Sequence, residues 1–157
     1  MIAEALKLVV AGSSLSEREA ADLLDYIIDE NPSDIQVAAL LTALAVRGET
    51  VDELTGFAQV MRRRAASFTT RHQIYVDTAG TGGDGRGSFN ISTTAAFVIA
   101  GAGVPVAKHG NRSISSRSGS ADILDGLGVR VVLSAALAGR CLDEIGICFM
   151  FAPAFHP

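Results

Sequence analysis

Residues 77–97 read DTAGTGGDGRGSFNISTTAAF. A carboxylate is followed by glycines at 80, 82, 83, 85 and 87, then by a run of hydroxyls leading into small apolar residues. Glycine permits positive φ and lets a ligand approach the amides with no Cβ in the way. A helix opening at the hydroxyls adds unpaired N–H groups and a favourable dipole. The stretch therefore predicts a loop between a strand and a helix, built as an anion cradle, with phosphate the best match.

Working outward, short β-prone runs at 74–77, 104–107, 129–133 and 147–151 alternate with helical segments near 91–102, 119–127 and 134–145. Strand and helix in alternation imply parallel pairing, with helices on the sheet faces and the chemistry in the loops after the strands. Upstream the pattern is helical. Ser16 with Glu19, Ser33 with Gln36 and Thr50 with Glu53 each fit a capping box. Leu23, Leu24, Ile27 and Ile28 make one apolar stripe, and Val37, Leu40, Leu41 and Leu44 another. Gly48 offers a left-handed stop. With a first helix near residues 2–11, four helices are expected in residues 1–66. The fold class is thus α + α/β: a helical domain over 1–70, then the first part of a mainly parallel-sheet α/β domain over 71–157.

The chain has 157 residues, 48% hydrophobic and 19% charged, with a formal charge of -4. These values suit a globular protein and argue against a general nucleic-acid or membrane-surface binder, which needs a basic footprint. Any anion site is local. Cys141 and Cys148 with three scattered histidines give neither a disulfide framework nor a zinc spacing and are read as buried, reduced thiols. The N-terminus MIAEALKLVVAG carries charges within its apolar stretch and shows no cleavage signature, so no leader or spanning helix is expected and the cytoplasm is the default.

Named glycine loops compete for residues 80–88. Gly80, Gly82 and Gly85 satisfy the dinucleotide fingerprint G-x-G-x-x-G, but the helix starts later than that fold requires. The second strand also runs into Lys108–His109 instead of ending on an acid. Gly82 and Gly87 have P-loop spacing, yet Ser88 stands where the lysine is required. A lysine comes from the next loop, KHGNRSISSRSGSAD at 108–122. If the two preceding strands are neighbours, both loops open on one sheet end, and Lys108, Arg112 and the hydroxyls from Ser113 to Ser120 face the glycine amides. Two converging anion loops fit a ligand with phosphates at both ends.

GTGGD, FNIST, AKHGNR, SS-x-x-GSAD and FMFAP-x-x-HP, in this order and spacing, resemble the anthranilate phosphoribosyltransferase family of tryptophan biosynthesis. Pyrimidine nucleoside phosphorylases resemble the helical part and the glycine loop but lack KHGNR. The resemblance implies a nucleoside phosphorylase/phosphoribosyltransferase-like fold and transfer of the phosphoribosyl group of phosphoribosyl pyrophosphate to anthranilate with release of pyrophosphate. It also implies Mg²⁺ as cofactor and a homodimer joined through the helical domain.

Carried onto this chain, the resemblance assigns Gly80, Gly83, Asp84 and Ser88 to the phosphoribosyl substrate, and Asn90, Ile91, Ser92 and Thr93 to its pyrophosphate. Ser92 is also implied as a magnesium ligand. Lys108, His109, Gly110, Asn111, Arg112, Ser113, Ile114, Ser115, Ser116 and Ser120 complete the pyrophosphate and ribose site. Gly80, Asn111, His109 and His156 lie toward anthranilate. No covalent nucleophile is implied: catalysis is positioning and charge stabilisation as pyrophosphate leaves.

The family runs to roughly twice this length. An arginine that pairs with the anthranilate carboxylate and an Asp-Glu pair for a second metal fall beyond Pro157 in its pattern. The α/β domain is therefore expected to be truncated and the chain alone inactive, with a binding-only or inactive module as the alternative and a Rossmann-like nucleotide binder ranked lower. Asp125 stands where the family has glutamate, an exchange expected to matter little.

Overall fold

A computed structural model describes residues 1–80, 90–113 and 118–156. The chain divides into two units, Met1–Arg64 and Ala65–Pro157.

In the first unit four helices follow one another: α1 (Ile2–Val10), α2 (Glu17–Glu30), α3 (Asp34–Arg47) and α4 (Val51–Arg64). Their starts stand where the capping boxes place them. Glu19 N donates to Ser16 Oγ at 3.3 Å while Ser16 N donates to Glu19 Oε2 at 2.8 Å. Ser33 with Gln36 and Thr50 with Glu53 repeat the exchange. The left-handed stop is at Asn31, after α2. Gly48 does have positive φ, but its ψ of 129° carries the chain out extended.

Ile2, Val9, Leu23, Leu40 and Leu44 form the core of this unit. The expected stripes are narrower than drawn, for Leu41 is 58% exposed and Leu40 and Leu44 carry the buried side of α3. Helices α2 and α4 meet at Gly56, where a Cβ would stand 2.2 Å from the Glu17 carbonyl oxygen, so this crossing requires glycine. Arg64 reaches Asp25 at 2.6 Å and Asp29 at 2.7 Å, and Arg63 also pairs with Asp25, tying the last turn of α4 to α2.

Glu53 does more than cap. Its side chain is fully buried. Oε1 accepts from Leu15 N at 2.8 Å, Oε2 accepts from Thr50 N at 2.9 Å, and Arg47 pairs with the same oxygen while donating to Ser13 O at 2.7 Å. One carboxylate thus joins the α1–α2 connection, the end of α3 and the start of α4. Burial opposes its ionisation, but the bonds from Arg47, Leu15 and Thr50 outweigh this and bring its pKa from 4.5 down to about 2.

The second unit contains α5 (Ile91–Gly101), β1 (Val106–Gly110), α6 (Ser120–Gly126), α7 (Ala135–Ile145), β2 (Ile147–Phe151) and the single turn α8 (Ala152–Phe155). Strands β1 and β2 are parallel, in register from Val106 with Ile147 to Gly110 with Phe151. An isolated parallel bridge joins Val76 to Val106. Because side chains alternate across a sheet, Ala107 and Cys148 pack with Ala138 and Leu142 of α7, whereas Phe149 packs with Ala121 and Leu124 of α6.

Two expected strands need correction. Residues 74–77 contribute only the bridge at Val76, and Ile74 is 81% exposed. Residues 129–133 form no strand: Val131 is buried against Leu124 and Phe149 while Val132 is 59% exposed. Only Val131 is buried, Val129 being 42% exposed, and no ladder partner accompanies the run among the described residues. The strand expected at 104–107 starts and ends later. Pro105 has no N–H to donate, and pairing with β2 carries the strand through Lys108 and His109.

Candidate anion-binding site

The bridge at Val76, β1 and β2 run in one direction, so their carboxyl ends present Asp77–Gly80, Asn111–Ser113 and α8 on one edge. Asp77 joins the first two. Its Oδ1 accepts from Ala79 N at 2.9 Å and from His109 N at 3.2 Å. Thr78 Oγ1 donates to Ser92 O at 2.8 Å, anchoring the same loop to α5.

Asn90 caps α5. Its Oδ1 accepts from Thr93 N at 3.3 Å, Thr93 Oγ1 at 2.7 Å and Ser92 Oγ at 3.3 Å. Lys108, only 3% exposed, reaches this turn from β1, where its Nζ donates to Ser92 Oγ at 3.3 Å. Burial pulls the lysine pKa below its ordinary value, with Asp77 opposing the shift. No carboxylate lies within ion-pair distance of Lys108 among the described residues. A buried ammonium held by one neutral hydroxyl, beside a helix N-terminus, has donors left for an anion that no described residue supplies.

The next loop is closed differently. Asp122 Oδ2 accepts from Ser113 N at 2.9 Å and from Gly119 N at 2.8 Å. Arg112 donates to Asp122 at 3.1 Å and to Asp125 at 2.7 Å. Arg112, expected to face the glycine amides, has its guanidinium held by two acids on α6, while residues 81–89 lie outside the described residues. Asp125 takes part in the loop through this contact. His109 and His156 meet edge to face with ring centroids 5.3 Å apart, and buried His109 Nε2 has no hydrogen-bond partner among the described residues. Gly110 lies against the Phe149 ring, and Ser120 opens α6.

The structure thus brings Asn90, Ser92, Thr93 and Lys108 together, His109 with His156, and Arg112 and Ser113 with Asp122. Gly80 is exposed with open space around it, and Ile91 is 57% exposed on α5. Gly83, Asp84, Ser88, Ile114, Ser115 and Ser116 lie outside the described residues. Sequence reasoning missed Asp77 and Asp122. Their signals were an acid ending a β-prone run and an acid at the third position of α6.

A cavity of about 420 Å³, lined by Phe97, Leu133, Ile147 and Phe149, has Thr93 and Lys108 in its wall. Both cysteines are free, Cys148 buried and Cys141 half-buried, and burial pushes the Cys148 thiol up to about 11. Among the described residues no three His, Cys, Asp or Glu side chains cluster as a metal site, and no helix is long and apolar enough to cross a membrane.

Comparison with known proteins agrees with this architecture. The helical bundle domain of the glycosyl transferase family matches residues 3–65, and the a/b domain of that family matches residues 72–157. The anthranilate phosphoribosyltransferase of Moorella thermoacetica is 60% identical over 99% of this chain and 46% of its own length. That of Anaeromyxobacter sp. (strain K) is 53% identical over 100% and 47%. Among solved structures, the anthranilate phosphoribosyltransferase of Thermus thermophilus superimposes with a TM-score of 0.83 at 42% identity, covering 98% of this chain and 46% of that one. The Saccharomyces cerevisiae enzyme in complex with PRPP and Mg gives 0.82 at 26% identity over 99% and 47%. The chain spans about half the length of the curated relatives it matches. With its a/b-domain match covering more than half of the residues and a helical bundle match before it, the chain belongs to the glycosyl transferase family.

Proposed function

We propose that this chain carries the phosphoribosyl pyrophosphate site of an anthranilate phosphoribosyltransferase, and that the whole protein transfers the phosphoribosyl group to the anthranilate amine with release of pyrophosphate. The observation that carries this reading is Lys108: a buried ammonium against Ser92 in a parallel sheet whose carboxyl edge also presents Asp77–Gly80. The relatives' shared name and the yeast complex with PRPP and Mg support the ligand.

In this mechanism Lys108 and the amides at the start of α5 stabilise charge on the departing pyrophosphate. Asn90 keeps the turn closed, and the paired His109 and His156 border the acceptor. Magnesium fits in a limited way. Ser92 offers one hydroxyl oxygen, which already accepts from Lys108, so the ion would take most of its ligands from phosphate oxygens and water. When bound it neutralises the leaving group's charge. Residues 1–157 assayed alone bind ligand without appreciable turnover, because the acceptor's carboxylate has no cationic partner among the assigned residues.

The protein works in the cytoplasm as a homodimer joined through its helices. Ile35, Val46, Val51 and Leu54, each more than half exposed on α3 and α4, supply apolar surface for that contact. Calorimetric titration with phosphoribosyl pyrophosphate and Mg²⁺, paired with a fluorescence assay of anthranilate consumption, tests the reading. Absence of any pyrophosphate-dependent heat from folded protein overturns it; binding without turnover by the product of the complete reading frame favours a binding-only module.

A further inference from the structure

We propose that Asp122, with Asp125, is a positioning residue that holds Arg112 oriented for an anionic ligand, an inference that rests on the function proposed above. Three observations carry it. First, Asp122 does more than α6 requires. Taking the Gly119 amide would cap that helix, yet the same oxygen also takes the Ser113 amide from the far end of the loop. Second, the loop ends are pressed together at this point. A Cβ on Gly119 would stand 2.4 Å from Ser113 N and 2.6 Å from Asn111 O, so backbone meets backbone and the neck is closed. Third, Arg112 is held at two points, Nη1 on Asp122 and Nη2 on Asp125.

A guanidinium has five N–H donors. Two are engaged here, so the remaining three are carried by a group whose rotamer is already selected. Arg112 sits four residues after Lys108 on the chain leaving β1, at the edge that also presents Asp77–Gly80. A side chain fixed in this way loses less freedom on binding than one in solvent. The acids act through Arg112 without touching the ligand.

The test is a double-mutant cycle in the protein expressed from its complete reading frame, with phosphoribosyl pyrophosphate as titrant in calorimetry and melting curves as the folding control. Asp122→Asn keeps the side-chain shape and removes the charge. It is expected to raise Kd about tenfold, which is about 1.4 kcal/mol, and to change it less than about twofold in an Arg112→Ala background, since the interaction term of the cycle isolates their coupling. Asp125→Asn, which leaves the loop neck intact, is expected to raise Kd about threefold, again only when Arg112 is present; this arm decides the matter if Asp122→Asn does not fold. Equal losses with and without Arg112, unchanged affinity, or tighter binding on removing the acids each overturn the proposal while leaving the proposed function standing. A wild-type protein that folds but does not bind phosphoribosyl pyrophosphate overturns both.

Discussion

Glu53 and Lys108 are both buried charges, one in each unit, and they are treated in opposite ways. Glu53 has an arginine and two backbone amides, so its charge is answered within the fold. Lys108 has one hydroxyl at 3.3 Å. Removing a charge from water is costly unless partners replace the water. The first arrangement meets that cost by closing a network. The second leaves donors available to something that arrives later. Burial of a charge is therefore no mark of function by itself; burial with too few partners is.

The largest expected effect falls on Glu53. Glu53→Ala leaves Arg47 without its partner and the Leu15 amide unsatisfied, and should destabilise the helical unit by about 3–5 kcal/mol in denaturant unfolding. A loss below about 1 kcal/mol would break the contrast. The same carboxyl makes stability depend on pH. Its folded pKa is depressed, so the stabilisation is complete above about 4.5 and is lost as pH falls through about 2. Unfolding curves taken between those values should show this slope in the wild type, and Glu53→Gln should flatten it.

Lys108→Ala should separate binding from stability. Loss of a charge-assisted contact predicts affinity for phosphoribosyl pyrophosphate weaker by about 1.5–3 kcal/mol. The melting temperature should hold or rise, because a poorly compensated buried cation has been removed. A variant that melts lower and binds normally would make Lys108 a structural residue.

Ser33→Ala sharpens the scale at its lower end. Ser33 with Gln36 is the same motif as Thr50 with Glu53, but it is solvent-exposed and reaches nothing beyond its own helix start. About 1 kcal/mol is expected, measured by the same unfolding curves. The difference from Glu53→Ala reports what long-range bonding adds to a cap.

That pair also shows how far the sequence could be read. All three boxes were legible because a cap is a local pattern, and each helix start follows from it. Nothing local distinguishes Glu53 from Gln36; the Leu15 amide and Arg47 are brought to it by helix packing. Strand β2 was legible in full as an apolar run between a glycine and a proline-containing turn. Strand β1 was cut short because Lys108 reads as polar, whereas its pairing with β2 continues past it. Residues 129–133 carry strand composition, but a strand also needs a neighbour, and composition does not specify one. At the site, Lys108, Asn90 and Ser92 were legible as residue types on converging loops. The pairing of Arg112 with Asp122 and Asp125 was not, since it depends on where those acids stand in space.

The register of the parallel pair sets an order of events. Val106 cannot find Ile147 until all of α6 and α7 has been synthesised and folded back, whereas each helix of the first unit can begin from bonds three or four residues apart. Non-local pairing must meet its loop-closure entropy before any contact compensates it, which makes such topologies slow to fold. On the ribosome the helical unit should be complete while the second is still an unpaired strand, and the pocket around Lys108 should be among the last parts of the chain to acquire its shape.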